Sequence, residues 1–287
     1  MTKLKTVIAA LLAACMTFSF AACSDRTPEE PAAQAPAAET EATTEETSEA
    51  PAAEVAEASV KPASDLNEKI KKAHELNSDT VGWLVVPNTH IDNSVLQAKD
   101  NAYYERRNEA REYDFHGVYW ADYENTFGER DMLSSNTIIY GHNPKYNDEP
   151  GVKFSQLYKY LDVEFAKNNP YIYFSTMEED MVFQVFATSY TTTGFHYIEV
   201  NDMSSLEFSN FINEAKLRSS VSFPDVDVDA NDKILVLSTC GYKYGKRDDM
   251  RFIVCAKLLP EGAVLSETAN AFANPNAHTP DKIGALI

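Results

Sequence analysis

A succession of short strand-like segments after residue 80 constrains the fold more than any other feature. Each segment is rich in β-branched and aromatic residues and is bounded by turn-forming residues, which is typical of β-strands. About eight such strands, without regular helical alternation, predict a mainly β protein built on a closed or nearly closed barrel. The segments are residues 82–87, 94–97, 117–120, 136–140, 171–174, 181–190, 233–237 and 250–259.

Two helices are predicted outside these strands. Residues 65–76 carry apolar side chains at helical spacing, and Asp65 and Glu68 occupy the positions of a capping box. We expect this amphipathic helix to open the folded domain. A shorter helix is predicted over residues 154–165, because its apolar residues fall on one side.

A long connection between residues 193 and 233 contains a third predicted helix. Ser204 and Glu207 form a capping box in front of it. The helix has two interpretations: a lid or substrate wall beside the site, or an element that packs on the barrel. Its apolar face consists of Phe208, Phe211, Ile212 and Ala215.

The first 23 residues are typical of an export signal. Lys3 and Lys5 precede an uncharged, mostly apolar stretch, and small residues lead to Cys23. In a bacterial lipoprotein the cysteine at this position is acylated and becomes the mature N-terminus, although Phe20 stands where such sites usually have Leu. The alternative is an uncleaved signal anchor. Both interpretations place the rest of the chain outside the cytoplasm, on the outer face of the cell membrane.

Residues 24–64 are mostly Ala, Glu, Pro and Thr and are predicted to form a disordered acidic tether. A catalytic domain is expected over residues 65–262, followed by a C-terminal tail, 263–287, that lacks a membrane anchor. The formal net charge of the chain is −19, which argues against a nucleic-acid partner.

Two of the four cysteines, Cys240 and Cys255, lie in the exported domain. An unpaired thiol in an oxidising compartment is unusual, and two cysteines do not make a disulfide framework. We therefore interpret Cys240 as a retained nucleophile. The alternatives are a disulfide between the two cysteines or two buried small side chains. For Cys255, in the middle of a predicted strand, burial or an inert half-exposed position is expected.

Three residues at the tips of predicted strands form a candidate catalytic set: Cys240, His142 and Arg251. A free thiol is only a few per cent thiolate at neutral pH, so a nearby histidine is needed as a base or as an imidazolium partner. Arg251 stays charged and cannot act as an acid or a base. It suits the stabilisation of an oxyanion, and the set predicts acyl transfer through a thioester.

At these residues the chain resembles a class B sortase. The segment ending Leu237, Ser238, Thr239, Cys240 is similar to the family's TLxTC signature, with Val236 in place of its first Thr. The segments around His142 and Arg251 resemble the family's histidine motif and arginine strand. The resemblance covers about residues 65–260, and Ser94 stands where the family usually has proline.

The resemblance implies a sortase-like barrel and a calcium-independent cysteine transpeptidase without cofactor. Its substrates would be secreted proteins with a C-terminal sorting signal of NPxTN type, and its acceptor an amine of a peptidoglycan precursor or cross-bridge. Cys240 would form the thioacyl intermediate, His142 would transfer protons, and Arg251 would hold the oxyanion. The substrate-binding residues implied are Ser238, Thr239, Tyr197, Ile198 and Leu96.

Other functions remain open from the sequence. A pilin-polymerising sortase would use a different amine, and a secreted cysteine peptidase would use water. The usual peptidase signature is absent, because His142 precedes Cys240 here. L,D-transpeptidases place their arginine two residues after the cysteine, whereas Arg251 is eleven residues beyond Cys240. A surface lipoprotein that binds peptides without chemistry would need no thiol.

Overall fold

Three α-helices and ten β-strands form the part of the chain that the structure describes. A computed structural model of the protein describes residues 66–280, without Lys145, Asp202 and Lys246. The helices are α1 (Leu66–Leu76), α2 (Val163–Asn168) and α3 (Ser205–Arg218). The strands are β1 (Thr80–Val86), β2 (Ile91–Leu96), β3 (Tyr119–Ala121), β4 (Asn136–Tyr140), β5 (Tyr171–Ser175), β6 (Asp180–Thr192), β7 (Val221–Ser222), β8 (Ile234–Cys240), β9 (Met250–Leu258) and β10 (Phe272–Ala273).

Eight of these strands close into a barrel, in the order β1-β2-β3-β4-β8-β9-β6-β5. Neighbouring strands run antiparallel except for two parallel pairs, β2 with β3 and β4 with β8. Apolar side chains without exposed surface, among them Leu84, Ile138, Leu237 and Val254, form the core. The predicted closed barrel is confirmed, and each predicted segment overlaps one barrel strand.

Helix α1 begins at Leu66 and packs against β1 with its buried residues Leu66 and Ile70. The helix predicted over residues 65–76 is therefore confirmed. Its proposed cap, Asp65, lies outside the described residues, as do the export signal with Cys23 and the tether.

The single helix predicted over residues 154–165 divides into two. A 3-10 helix, Lys153–Leu161, is followed by α2, and Asp162 separates them. The Asp162 side chain accepts the backbone N–H of Phe165 at 2.9 Å, so it caps α2 from outside and the first segment ends before it.

The long connection before β8 contains the predicted helix, α3. Ser204 and Glu207 form the predicted capping box at its start. The apolar face is buried and the helix packs on β6, as the second of the two interpretations requires. The buried residues are Phe208, Phe211, Ile212 and Ala215.

Part of the C-terminal segment that was predicted as a tail forms the short strand β10, which pairs with β7 in a separate two-stranded sheet. Asn274 adds to this contact, because its Nδ2 donates to the Ser219 carbonyl at 2.9 Å. Within residues 66–280, no helix combines the length and the apolar character needed to cross a membrane.

Candidate active site

The parallel strands β4 and β8 bring a histidine and a cysteine to one end of the barrel. Tyr140 is the register partner of Ser238, and Gly141 donates its backbone N–H to the Ser238 carbonyl at 3.1 Å. His142 and Cys240 each follow that pair by two residues. Because parallel strands run in the same direction, both residues lie at the same end of the barrel.

Arg251 is the register partner of Cys240 in the antiparallel pair β8–β9. Directly opposed residues in such a pair have their Cβ atoms about 5 Å apart. The Arg251 Nη1 donates to the backbone carbonyls of Asp248, at 2.7 Å, and Met250, at 2.8 Å. These bonds fix the guanidinium, and its positive charge is held beside the cysteine.

A loop carbonyl orients the imidazole of His142. Its Nε2 lies 2.6 Å from the backbone oxygen of Glu105. A carbonyl can only accept a hydrogen bond, so we assign the proton to Nε2 and the lone pair to Nδ1. Gly117 (φ +57°) packs against the same carbonyl, since a Cβ there would lie 2.7 Å from the Glu105 oxygen.

The electrostatic surroundings keep the His142 ring neutral. Burial is the largest cause and lowers the pKa of His142 below its ordinary value. The hydrogen bond to the Glu105 carbonyl partly offsets this, and the charges of Arg106 and Lys153 lower the pKa further. At neutral pH the ring is therefore an imidazole whose Nδ1 is able to accept a proton.

The backbone of Cys240 is anchored by two polar side chains. The Tyr158 hydroxyl donates to the Cys240 carbonyl at 2.5 Å, and the Asn143 Nδ2 donates to the same oxygen at 3.4 Å. Burial raises the pKa of Tyr158 well above its usual range, so the phenol remains a donor. Neither residue was predicted to have a role, because Tyr158 falls within the apolar helix predicted over residues 154–165.

The candidate residues meet in one open cleft of about 290 Å³. Cys240, His142 and Arg251 all line it, and so do four of the five predicted substrate-binding residues. The lining consists of Asn101, Glu105, Trp120, Tyr140, Gly141, His142, Thr193, Tyr197, Ile198, Ser238, Thr239, Cys240 and Arg251.

The four predicted binding residues in the cleft differ in what they offer. Tyr197 is 2% exposed and its hydroxyl hydrogen-bonds the Ser238 Oγ at 2.9 Å, so these two brace the wall. Ile198 is 42% exposed and presents apolar surface. Thr239 is buried, and its Oγ1 has no hydrogen-bond partner among the described residues.

Leu96, the fifth predicted binding residue, lies outside the cleft lining. It has no exposed surface and packs in a small cluster with Tyr104, Val118 and Trp120. Trp120 is its register partner in β3 and does line the cleft. The Trp120 ring centroid is 5.4 Å from that of His142, so Leu96 supports the cleft from behind.

The two cysteines of the domain are both free thiols, which excludes the disulfide alternative. Cys255 is completely buried, as expected, and burial raises its pKa to about 12. Among residues 66–280, apart from the three that are not described, no group of three or more His, Cys, Asp or Glu side chains is arranged to hold a metal ion.

Comparison with known proteins places this fold and site in a family. Residues 84–259 match the model of the sortase domain. Sortase B of Listeria monocytogenes is 36% identical over 183 residues, which span 64% of this chain and 71% of that protein. Sortase B of Staphylococcus aureus is 31% identical over 199 residues, or 69% of this chain and 78% of that protein.

Solved structures agree with the sequence comparison. The Staphylococcus aureus sortase B–substrate complex has a TM-score of 0.59 at 30% identity, and covers 68% of this chain and 87% of that one. Clostridium perfringens sortase B has a TM-score of 0.58 at 28% identity, with 66% and 99% covered. The sortase B relatives make the class a cysteine transpeptidase, here on a closed barrel. The chain belongs to the sortase family, and the relatives named here are sortases B.

Proposed function

We propose that this sortase cleaves a C-terminal sorting signal of NPxTN type on secreted proteins and transfers the protein to an amine of peptidoglycan. The observation that carries the proposal is the convergence of Cys240, His142 and Arg251 in a single cleft. The sortase B relatives support it, and one similar structure is described as a substrate complex.

In the first step, the Cys240 sulfur attacks the carbonyl carbon of the signal threonine, and the thiol proton passes to Nδ1 of His142. The neutral state of His142 suits it to receive that proton. Arg251 stabilises the oxyanion of the tetrahedral intermediate. The C–N bond then breaks, the protonated His142 gives its proton to the leaving amine, and a thioester to Cys240 remains.

In the second step, an incoming primary amine attacks the thioester carbon. A C–N bond forms, the C–S bond breaks, and the amine proton passes to His142 while the Cys240 sulfur leaves as thiolate. Arg251 again stabilises the oxyanion. Transfer of the proton from His142 to Cys240 restores the starting state.

The cleft walls offer the substrate one polar contact and one apolar contact. The unpartnered Thr239 Oγ1 suits a hydrogen bond to the peptide, because an unsatisfied buried polar group costs about 1 to 3 kcal/mol. Ile198 suits an apolar side chain of the signal. Ser238 and Tyr197, bonded to each other, hold the wall in shape.

The test is intact-mass analysis of the full-length protein incubated with NPxTN-type peptides. We expect a thioacyl adduct on Cys240, and faster product release when triglycine is added as the amine. Cys240→Ala and His142→Ala should abolish turnover. If no member of a peptide library gives either an adduct or an amine-dependent product, the proposed transpeptidation is wrong.

The same assay separates the alternatives. A secreted cysteine peptidase would release product at a rate independent of the amine, and a peptide-binding protein would form no adduct. A pilin-polymerising enzyme would prefer a lysine side chain over triglycine as the acceptor. None of these alternatives has a specific observation in its favour.

We also propose that the enzyme acts at the surface of a Gram-positive-type cell and is attached to the membrane by its N-terminus. The basis is the export signal that ends at Cys23. Mass spectrometry of the mature N-terminus should find diacylglyceryl on Cys23. An intact Met1 would instead support the uncleaved signal anchor.

A further inference from the structure

The cleft is lined by two charged residues, and each lies beside a different reacting group. Of the described residues that line it, only Glu105 and Arg251 are fully charged, because His142 is neutral. Arg251 is the register partner of Cys240 and therefore lies beside the position that the substrate carbonyl must occupy. Glu105 is tied to the other reacting group, since its backbone carbonyl holds the His142 ring.

The carboxylate of Glu105 is available for a ligand. The residue is exposed, and no hydrogen bond or ion pair joins its carboxylate to the other described residues. Its charge is close enough to His142 to raise the pKa of that ring against the larger effect of burial. A carboxylate without an ion pair among the described residues therefore lies near His142.

Two nearby cations, Arg106 and Lys153, contact aromatic rings. The Arg106 guanidinium lies 4.8 Å from the centroid of the Phe115 ring. The Lys153 Nζ lies 5.4 Å from the centroid of the Tyr119 ring. Neither cation lines the cleft, and neither forms an ion pair with Glu105.

We propose that the Glu105 carboxylate binds the ammonium form of the incoming amine beside His142. This inference rests on the proposed function and adds to it a residue that selects the acceptor. The acceptor class is a primary amine that is cationic in solution, at the end of a chain without a nearby negative charge. A carboxylate at this place raises the local concentration of such amines and repels anionic nucleophiles.

The chemistry balances with groups already named. The bound ammonium releases one proton to solvent and becomes a neutral amine. Its nitrogen then forms the C–N bond to the thioester carbon, the C–S bond to Cys240 breaks, and the second proton passes to His142. Glu105 takes no part in these proton transfers and makes no bond to the acyl group.

The test compares two nucleophiles on the full-length protein. Triglycine has a cationic amine at neutral pH, whereas hydroxylamine is largely uncharged. Thioacyl formation with the active NPxTN-type peptide is measured in the same samples, and the KM for each nucleophile is obtained from the amine-dependent product. Glu105→Gln should raise the KM for triglycine about fivefold, and Glu105→Lys by about 25-fold. The KM for hydroxylamine should stay within about twofold in both variants.

Glu112→Gln is the matched control, because Glu112 is an exposed glutamate of the same loop outside the cleft lining. It should leave the triglycine KM unchanged, and added salt should raise that KM in the wild type more than in Glu105→Gln. An unchanged triglycine KM in Glu105→Gln, an equal rise for both nucleophiles, or an equal rise in Glu112→Gln would each overturn the inference. Absence of any thioacyl adduct in the wild type would instead contradict the proposed function, and this inference with it.

Discussion

The two cysteines of the domain lie on the same face of one strand pair, yet in opposite surroundings. Cys255 is the register partner of Val236 in the middle of β8–β9, and Cys240 is the partner of Arg251 at its end. Cys255 has no exposed surface and burial raises its pKa to about 12. Cys240 is half-buried and lines the cleft. Both residues are cysteines, so their position along the strand pair decides which thiol can react.

The strand end also differs from the middle in its polar supports. The middle of the pair is surrounded by apolar side chains such as Leu237 and Val254. At the end, Tyr158 holds the Cys240 carbonyl and Glu105 holds the His142 ring. A site at the end of a rigid sheet therefore has both a fixed backbone and open space for substrate.

Replacing each cysteine by alanine should give the largest contrast. Cys240→Ala should abolish the thioacyl adduct, whereas Cys255→Ala should keep it and lose about 1 kcal/mol of unfolding free energy through a small cavity. Intact mass and urea unfolding measure the two effects. An adduct in Cys240→Ala, or none in a folded Cys255→Ala, would remove the distinction between end and middle.

Removing the cation at the strand end should slow acylation by about 10² to 10³-fold in Arg251→Ala, the usual cost of one oxyanion donor. Lys257→Ala is the matched control, since Lys257 has the same charge and lies on the same face of β9. There we expect a normal acylation rate and a stability loss of at most about 1 kcal/mol, from its ion pair with Asp232. A wild-type rate in Arg251→Ala would exclude Arg251 from the mechanism.

The hydroxyl that supports the strand end can be tested against one that does not. Tyr158→Phe removes the donor to the Cys240 carbonyl, and Tyr160→Phe removes a similar bond to the Asn169 carbonyl at 2.9 Å. Both should cost about 1 kcal/mol of stability. Only Tyr158→Phe should lower kcat, by about fivefold, without a change in KM for the peptide. Equal kinetics in both variants would reduce Tyr158 to a structural role.

The smallest expected effect concerns the imidazole beside the reactive thiol. Arg106 lowers the pKa of His142, so Arg106→Gln should raise that pKa slightly and move the acid limb of acylation to higher pH. Histidine NMR titration and the pH–rate profile measure this shift. Arg107→Gln is the control, because Arg107 lies over the Tyr103 ring. A shift to lower pH would contradict the assigned cause.

The same depressed pKa has a consequence for stability. As the pH falls below the ordinary histidine value, the unfolded chain binds a proton that folded His142 does not. Stability therefore falls with decreasing pH in that window, until the folded-state pKa is passed. Thermal unfolding between pH 7 and 5 should show this contribution reduced in Arg106→Gln.

The barrel was predictable because each strand is a separate β-branched or aromatic run with its own turn signals. The three strand-end motifs likewise identified Cys240, His142 and Arg251 as a set. The register of β4 on β8 was not predictable, since it depends on pairing between segments far apart in the chain. That register is what brings His142 level with Cys240.

Other features carry no local signal at all. The Glu105 carbonyl that holds His142 belongs to the backbone, which every residue has. The related sequence signal is Gly117, which packs closely against that carbonyl. Tyr158 reads as an apolar residue of a helix face, so its hydroxyl contact was missed. Leu96 was carried over by resemblance, but its side chain packs behind Trp120.

The parallel pairing of β4 with β8 also sets the order in which the enzyme can mature. The two strands are separated by residues 141–233, so their contact closes a long loop and forms slowly compared with hairpins. During synthesis from the N-terminus, His142 appears long before Cys240. The reactive centre is therefore assembled only when nearly the whole barrel is present, and shorter fragments of the chain would carry no competent site.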